Sequence, residues 1–206
     1  MPDTNCRDRG SRLMSDREWK ALWYDLKTNA AGNFENAQGF RRLDDFVGSL
    51  SALGSAGAAG GIGLAWVKLL GTGTWFGRVL PFIAVTSFSA LGWATYCKLG
   101  DRSLQYQQTG ARYNSLARRA EHALQDKAAR TPALWAEITK ERDDAERAIT
   151  YVVSNRIQNY ARACVLAKKV KGAEAPTLWS RFFGGLQESN ERNKATLMER
   201  PLAEWK

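Results

Sequence analysis

Apolar residues recur at helical spacing through most of the chain. In the first segment they lie three or four positions apart, on one helical face: Trp19, Leu22, Trp23 and Leu26. Asp16 is a suitable residue to cap this helix, and residues 29–33 are expected to interrupt it. The pattern predicts an N-terminal helical segment over residues 1–45.

Charged residues are missing from two segments, 46–67 and 79–97, which are 22 and 19 residues long. At about 1.5 Å per helical residue, each segment reaches roughly the 30 Å thickness of a bilayer core. Residues 68–78 between them are broken by glycine and are too few to form a domain. The pattern therefore predicts a transmembrane helical hairpin over 46–98.

A core helix of a water-soluble protein is the competing interpretation of the first charge-free segment. Its six glycines favour lipid, because each costs a helix in water about 1 kcal/mol, whereas small residues let membrane helices approach closely. Cations are also more numerous just after the second segment than in the connector. This asymmetry predicts an inner-membrane protein with both termini in the cytoplasm.

Two apolar stripes follow the hairpin. The first runs from Asp101 to Ala129 and ends before a helix break at Arg130–Pro132, where Thr131 is the expected cap. The second continues to near Val170, so that residues 99–170 are predicted to form an αα-hairpin of long cytoplasmic helices. Residues 171–206 are expected to hold a short amphipathic block, over 178–186, and a mobile tail. The predicted fold class is all-α and oligomeric.

Composition and charge narrow the chemistry. The chain has 206 residues, one histidine, three cysteines and a net charge of +9. No cysteine or histidine spacing fits zinc, and the glycine-rich stretches lack the strand or the Gly-Lys-Ser/Thr of phosphate-binding loops. The acidic run from Glu141 to Glu146 alternates with basic residues, which is typical of a solvated, ion-paired helix face. We therefore expect no enzymatic activity, no metal and no cofactor.

The hairpin supplies candidate sites. Close packing between subunits is assigned to Gly54, Gly57, Gly60 and Gly61. Lining of a pore is assigned to Ser49, Ser51, Ser55, Thr86, Ser87, Ser89 and Thr95, although each hydroxyl could equally bond to the preceding helical turn. Anchoring at the membrane interface is assigned to Trp66, Trp75, Trp93 and Tyr96. Contact with lipid headgroups is assigned to Lys98, Arg102, Arg118 and Arg119, and the run Lys168–Lys171 is a further anion-binding candidate.

Over residues 16–170 the arrangement resembles the SLATT family of two-span effector proteins. The similarity rests on Trp19-Lys-Ala-Leu-Trp-Tyr before the hairpin, and on Tyr113-x-x-Leu116 and Ala120-x-x-x-Leu124 after it. The resemblance implies a bacterial anti-phage role, in which a sensor, nucleotide-signal synthase or reverse transcriptase encoded nearby triggers assembly and permeabilisation of the inner membrane. Membrane lipid and further copies of the chain would be its partners, and nucleic acid is not expected to be one.

Two other hypotheses compete with a pore. In the first, the chain is a passive membrane anchor or scaffold that recruits a cytoplasmic protein through its helices. In the second, it is a helical assembly outside the membrane that buries the apolar hairpin between subunits.

Overall fold

The computed structural model describes residues 14–68, 86, 89, 92–93, 97–149, 153–170 and 172–201, without side-chain environments for 53–68, 178 and 182–183. These parts of the chain contain helices and no strand, which confirms the all-α prediction. The α-helices are α1 (Asp16–Lys68), α2 (Leu99–Gln125), α3 (Pro132–Arg147), α4 (Asn155–Lys169), α5 (Leu178–Phe183) and α6 (Gln187–Glu199). A 3-10 helix spans Lys127–Ala129. The chain divides into a first unit, Met1–Asn36 with Tyr106–Lys206, and a second unit, Ala37–Gln105.

Helix α1 begins with a capping box. The Ser15 amide donates to the Glu18 carboxylate at 2.6 Å, and the Glu18 amide donates back to the Ser15 hydroxyl at 3.3 Å. Ser15 therefore caps the helix, where the sequence had suggested Asp16. The helix continues without a break through residues 29–33, and the Asn33 amide group donates to the Asn29 carbonyl at 2.8 Å. The predicted interruption is wrong, because this asparagine bonds to its own helix instead of ending it.

The break before α3 is confirmed. The Leu134 amide donates to the Thr131 hydroxyl at 3.1 Å, and Pro132 occupies the first turn, where its missing N–H costs nothing. The second apolar stripe was expected to be one helix, but α3 ends at Arg147 and α4 starts at Asn155. The predicted long αα-hairpin is thus divided into α2, α3 and α4.

The core of the first unit brings together side chains from α1, α2, α3, α4 and α6. Trp19 and Trp135 meet edge to face, with ring centroids 5.0 Å apart and an interplanar angle of 88°. The fully buried large side chains are Trp19, Trp23, Tyr24, Tyr113, Leu26, Ile138, Leu166 and Leu197. The stripe predicted for α2 supplies one wall of this core.

The residues after 186 were expected to form a mobile tail, and instead they form α6. Leu197 is fully buried, and the Asn190 side-chain amide donates to the Asn159 carbonyl of α4 at 2.8 Å. The Lys20 ammonium group of α1 donates to the carbonyls of Met198 and Arg200 at the end of α6. These hydrogen bonds, the burial of Leu197 and the packing of Met198 against the same core hold α6, which is too polar overall for hydrophobic spacing to reveal it.

In the second unit, the continuation of α1 packs on the start of α2. Val47 and Leu99 are buried together, with Phe40 and Cys97 against them. The Ser103 hydroxyl donates to the Ala37 carbonyl at 3.0 Å. This small core fixes which face of α1 is turned inward.

The transmembrane hairpin is the main correction. Among the residues that the structure describes, no helix is both apolar enough and long enough to cross a bilayer. The predicted hairpin, its pore and the inner-membrane location are wrong on this finding. Fourteen of the residues in 46–67 are glycine, alanine or serine, whose small side chains offer little apolar surface for transfer into lipid. Most of the second predicted span, 79–97, lies outside the described residues.

Candidate functional site

Residues 40–50 of α1 carry apolar side chains on one broad side of the helix, which is buried at one edge and exposed at the other. Phe40 and Val47 face Leu99 in the core of the second unit. Leu43, Phe46 and Leu50 recur at positions i, i+3 and i+7, which is the adjoining part of the same side of the helix. Leu43 is 36% exposed, Phe46 is 64% exposed and Leu50 is half-buried. We refer to these three residues as the apolar ridge.

Charges of both signs border the apolar ridge. Arg41 and Arg42 precede Leu43, Asp44 and Asp45 follow it, and all four residues are exposed. The two cations and two anions cancel, so the region has no net charge. The cations nevertheless come before the anions along the helix, so the charges form a dipole parallel to its axis. A second helix that runs antiparallel would place opposite charges side by side.

The helix beyond the ridge remains without charge. Segment 46–67 lies entirely within α1, so the residues assigned to subunit packing, Gly54, Gly57, Gly60 and Gly61, are helical. Their surroundings, like those of Ser55 and Trp66, lie outside the described side chains. The backbone therefore places these small residues on the same continuous helix as the apolar ridge.

Of the hydroxyls assigned to a pore, Ser49 donates to the Asp45 carbonyl at 2.8 Å. A bond of this kind, to the preceding helical turn, is the alternative to pore lining that the sequence analysis left open. Ser51 is half-buried, and Thr86 and Ser89 are helical and exposed. Ser87 and Thr95 lie outside the described residues. The structure therefore describes four of these seven side chains, and one of the four bonds to its own helix.

The aromatic and basic candidates are also dispersed. Trp93 is 52% exposed, whereas Trp75 and Tyr96 lie outside the described residues. Lys98 and Arg118 are exposed and Arg102 is half-buried. These roles were assigned on the assumption that a membrane lies beside the hairpin. The predicted transmembrane hairpin is wrong, so that assumption no longer applies.

Arg119 has protein partners. It pairs with Glu137 at 2.7 Å and with Glu141 at 2.8 Å, and these hydrogen bonds raise the pKa of its guanidinium group. Arg142 pairs with Asp143 at 2.9 Å on the same acidic run. The run is thus laced with ion pairs, in agreement with the interpretation of alternating charges as a solvated helix face.

Catalytic groups do not converge in the described part of the chain. His122 is exposed on α2, and no three acidic, histidine or cysteine side chains there could share a metal ion. The absence of enzymatic activity and of a cofactor stays a prediction.

Comparison with family models, with curated proteins and with solved structures finds no match to the chain. The candidate site is therefore argued from its own residues. Sequence reasoning missed the apolar ridge because it counted Phe46 as the first residue of a membrane span. The signal was present in the spacing of Leu43, Phe46 and Leu50, which continues an apolar face across charged neighbours.

Proposed function

We propose that the protein is a non-catalytic helical module that self-associates through α1, with the apolar ridge and the charge-free segment 46–67 covered by a second copy. The observation that carries this proposal is the exposure of Phe46 at the start of that segment. A helix that is apolar around its whole circumference is buried either in protein or in a membrane. Since no described helix is suited to span a bilayer, protein is the cover that we propose.

The glycines of the segment support close packing. Six glycines would weaken an isolated helix by about 1 kcal/mol each, so an uncovered helix of this composition is expected to be unstable. A neighbouring helix can approach closely over Gly57 and Gly61, which are one helical turn apart, and dispersion contacts then offset part of that loss.

The resemblance to SLATT proteins suggests a setting for this assembly. We propose that self-association is the step controlled by a sensing partner in a bacterial anti-phage system. Permeabilisation of a membrane would require the transmembrane hairpin, so it is not part of the proposed function. The competing candidate, recruitment of a different protein through the same helix, is distinguished by the stoichiometry of the purified chain.

Sedimentation equilibrium of the full chain tests the proposal. The wild type is expected to form a defined oligomer at micromolar concentration, and Phe46→Ser should weaken association at least tenfold, as for a central aromatic contact. Leu104→Ser is the matched control, because Leu104 is similarly exposed, at 55%, on α2 of the same unit. A monomeric wild type at about 100 µM, far above the range of specific oligomers, would count against self-association, as would equal effects of the two variants.

A second pair of variants examines the small-residue face. Gly57→Leu should block close approach, whereas Gly48→Leu should not, since Gly48 is two residues from Phe46 and so lies on the opposite side of α1. If both leucine variants associate like the wild type, the glycines do not form the contact.

A further inference from the structure

A cleft of about 200 Å³ in the first unit opens between α1, α2 and α4. Its apolar surfaces come from Trp23, Ala30 and Phe34 of α1 and from Val165 of α4. Trp23 is 1% exposed and belongs to the main core, so the accessible apolar surface of the cleft comes from Phe34 and Ala31, which are half-buried and pack against that core. The cleft is smaller than the roughly 300–1,000 Å³ of pockets that take drug-sized ligands.

Three lysines border this apolar cleft. The Lys27 ammonium group donates to the Asn114 side-chain oxygen at 2.9 Å, so it is held in place. The Lys169 ammonium group lies 5.6 Å from the centroid of the Trp23 ring and 3.7 Å from the Glu121 carboxylate. Lys168 borders the cleft and is exposed. The sequence had grouped Lys168 and Lys169 with a general anion-binding run, and the structure brings them beside Lys27 from another helix.

Acidic groups near the cleft do not balance these cations. Glu121 of α2 pairs with Lys169 at 3.7 Å, and Glu35 of α1, whose charge acts on Cys164, pairs with Arg181 at 3.3 Å. Ammonium groups are donors without an acceptor, and beside an apolar wall they attract anions more strongly than in open water. The cleft thus joins a positive rim to a flat apolar wall.

We propose that this cleft binds a small organic anion that consists of one aromatic or similarly flat apolar group and an acidic head, either a carboxylate or a phosphate ester. The flat group lies against the half-buried Phe34 and Ala31, and the head reaches Lys27, Lys168 and Lys169. Lysine suits either head, since it binds carboxylate and phosphate as a point charge. The volume limits the ligand to about one ring with a short substituent. This site is independent of the proposed self-association through the apolar ridge.

Cys164 borders the same cleft and provides a local reporter. Burial raises the pKa of its thiol, with a hydrogen bond to Tyr160 acting in the opposite direction. The thiol is therefore largely protonated at neutral pH and reacts slowly with alkylating reagents. A bound anion should slow its alkylation further by covering it.

Isothermal titration calorimetry with four probes tests the ligand class. Phenyl phosphate and benzoate carry both features, inorganic phosphate has charge alone, and benzyl alcohol has the ring alone. At least one of the first two should bind about tenfold more tightly than either single-feature probe, and the tighter of them identifies the head group. If the ring-bearing anions bind no better than inorganic phosphate or benzyl alcohol, the proposal is wrong.

Variants locate the binding site. Lys168→Met removes an exposed cation and should weaken the tighter probe about threefold to fivefold, the range of partly solvated ion pairs, without affecting the fold. Lys27→Met should weaken it similarly, and Lys140→Met on the exposed face of α3 is the control. Peptide mapping of alkylated protein should show that the probe protects Cys164 and leaves Cys97 unchanged. Equal affinities for Lys168→Met and Lys140→Met, or unprotected Cys164, would overturn the assignment.

Discussion

The Arg130 guanidinium group donates a hydrogen bond to the Asp16 carboxylate in the first turn of α1. The same guanidinium group also donates to the carbonyls of Ala123 and Leu124, at 2.7 and 2.8 Å, in the last turn of α2. Those carbonyls have no partner within their own helix. The hydrogen bond from Arg130 holds the pKa of Asp16 below its usual value. One side chain therefore joins the start of α1 to the end of α2.

Replacing Arg130 should destabilise the first unit. Arg130→Met leaves two carbonyls of α2 without a donor and should lower the free energy of unfolding by about 2–4 kcal/mol. For a chain of this size, that corresponds to a fall of about 4–16 °C in the melting temperature, measured by circular dichroism. Arg118→Met, at an exposed position on α2, should change the melting temperature little. Similar losses in both variants would contradict the role of Arg130.

The stability of the protein should fall in alkali because of buried tyrosines. Burial raises the pKa of Tyr113 to about 12, from an ordinary value of 10.0, and does the same for Tyr24. In both cases the folded state favours the neutral phenol. The resulting stabilisation is complete below pH 10 and is lost as the pH rises towards 12. At about 1.4 kcal/mol for each pKa unit, each tyrosine contributes about 2–3 kcal/mol to this loss.

Tyr113→Phe removes one of these two ionisations. Urea unfolding of the variant should therefore show a smaller loss of stability than the wild type between pH 10 and 11.5, with the remaining loss due to Tyr24, Tyr160 and Cys164. Between pH 7 and 9, the free energy of unfolding should depend on pH in nearly the same way for the wild type and the variant. Parallel stability curves up to pH 11.5 would show that ionisation of Tyr113 does not oppose folding.

Gly110 marks a close contact between α2 and α1. A Cβ at this position would lie 3.3 Å from the Ala30 carbonyl oxygen and 3.3 Å from both the Asn33 Cβ and a Phe34 ring carbon. Gly110→Ala should therefore destabilise the protein by about 1–3 kcal/mol, because backbone must move to admit the methyl group. Gly48→Ala is the control, since its added Cβ meets nothing and should stabilise α1 by about 0.5–1 kcal/mol. Chemical denaturation of both variants should give opposite signs, and equal signs would contradict the close contact.

Much of the helical core could be predicted from spacing. The apolar stripe of α2, from Tyr106 to Leu124, is buried, and Thr131 caps α3 as expected. These features are local. A helix completes one turn every 3.6 residues, so residues three or four apart share a face, and a threonine before proline favours a helix start. The gap between α3 and α4 could not be predicted, since apolar residues continue through it.

The functional features depended on information that spacing does not contain. The absence of charge in 46–67 led to a membrane span as the cover of this segment. A criterion based on charge alone treats small residues as if they were as apolar as leucine. The lysines of the cleft come from α1 and α4, more than 130 residues apart, and only the tertiary packing brings Lys27 to Lys168. Spacing placed Trp23 on the apolar face of the first helix, but only the tertiary packing brings the Lys169 ammonium group to its ring.

The bond between Lys20 and the carbonyls at the end of α6 joins positions 178 and 180 residues apart. Helix α1 therefore obtains one of its buried neighbours only after the residues of α6 have been synthesised. Until then Lys20 and the surface around it face other molecules in the cell. A nascent chain that stalls before residue 187 would present this incomplete surface to chaperones or to other copies of itself.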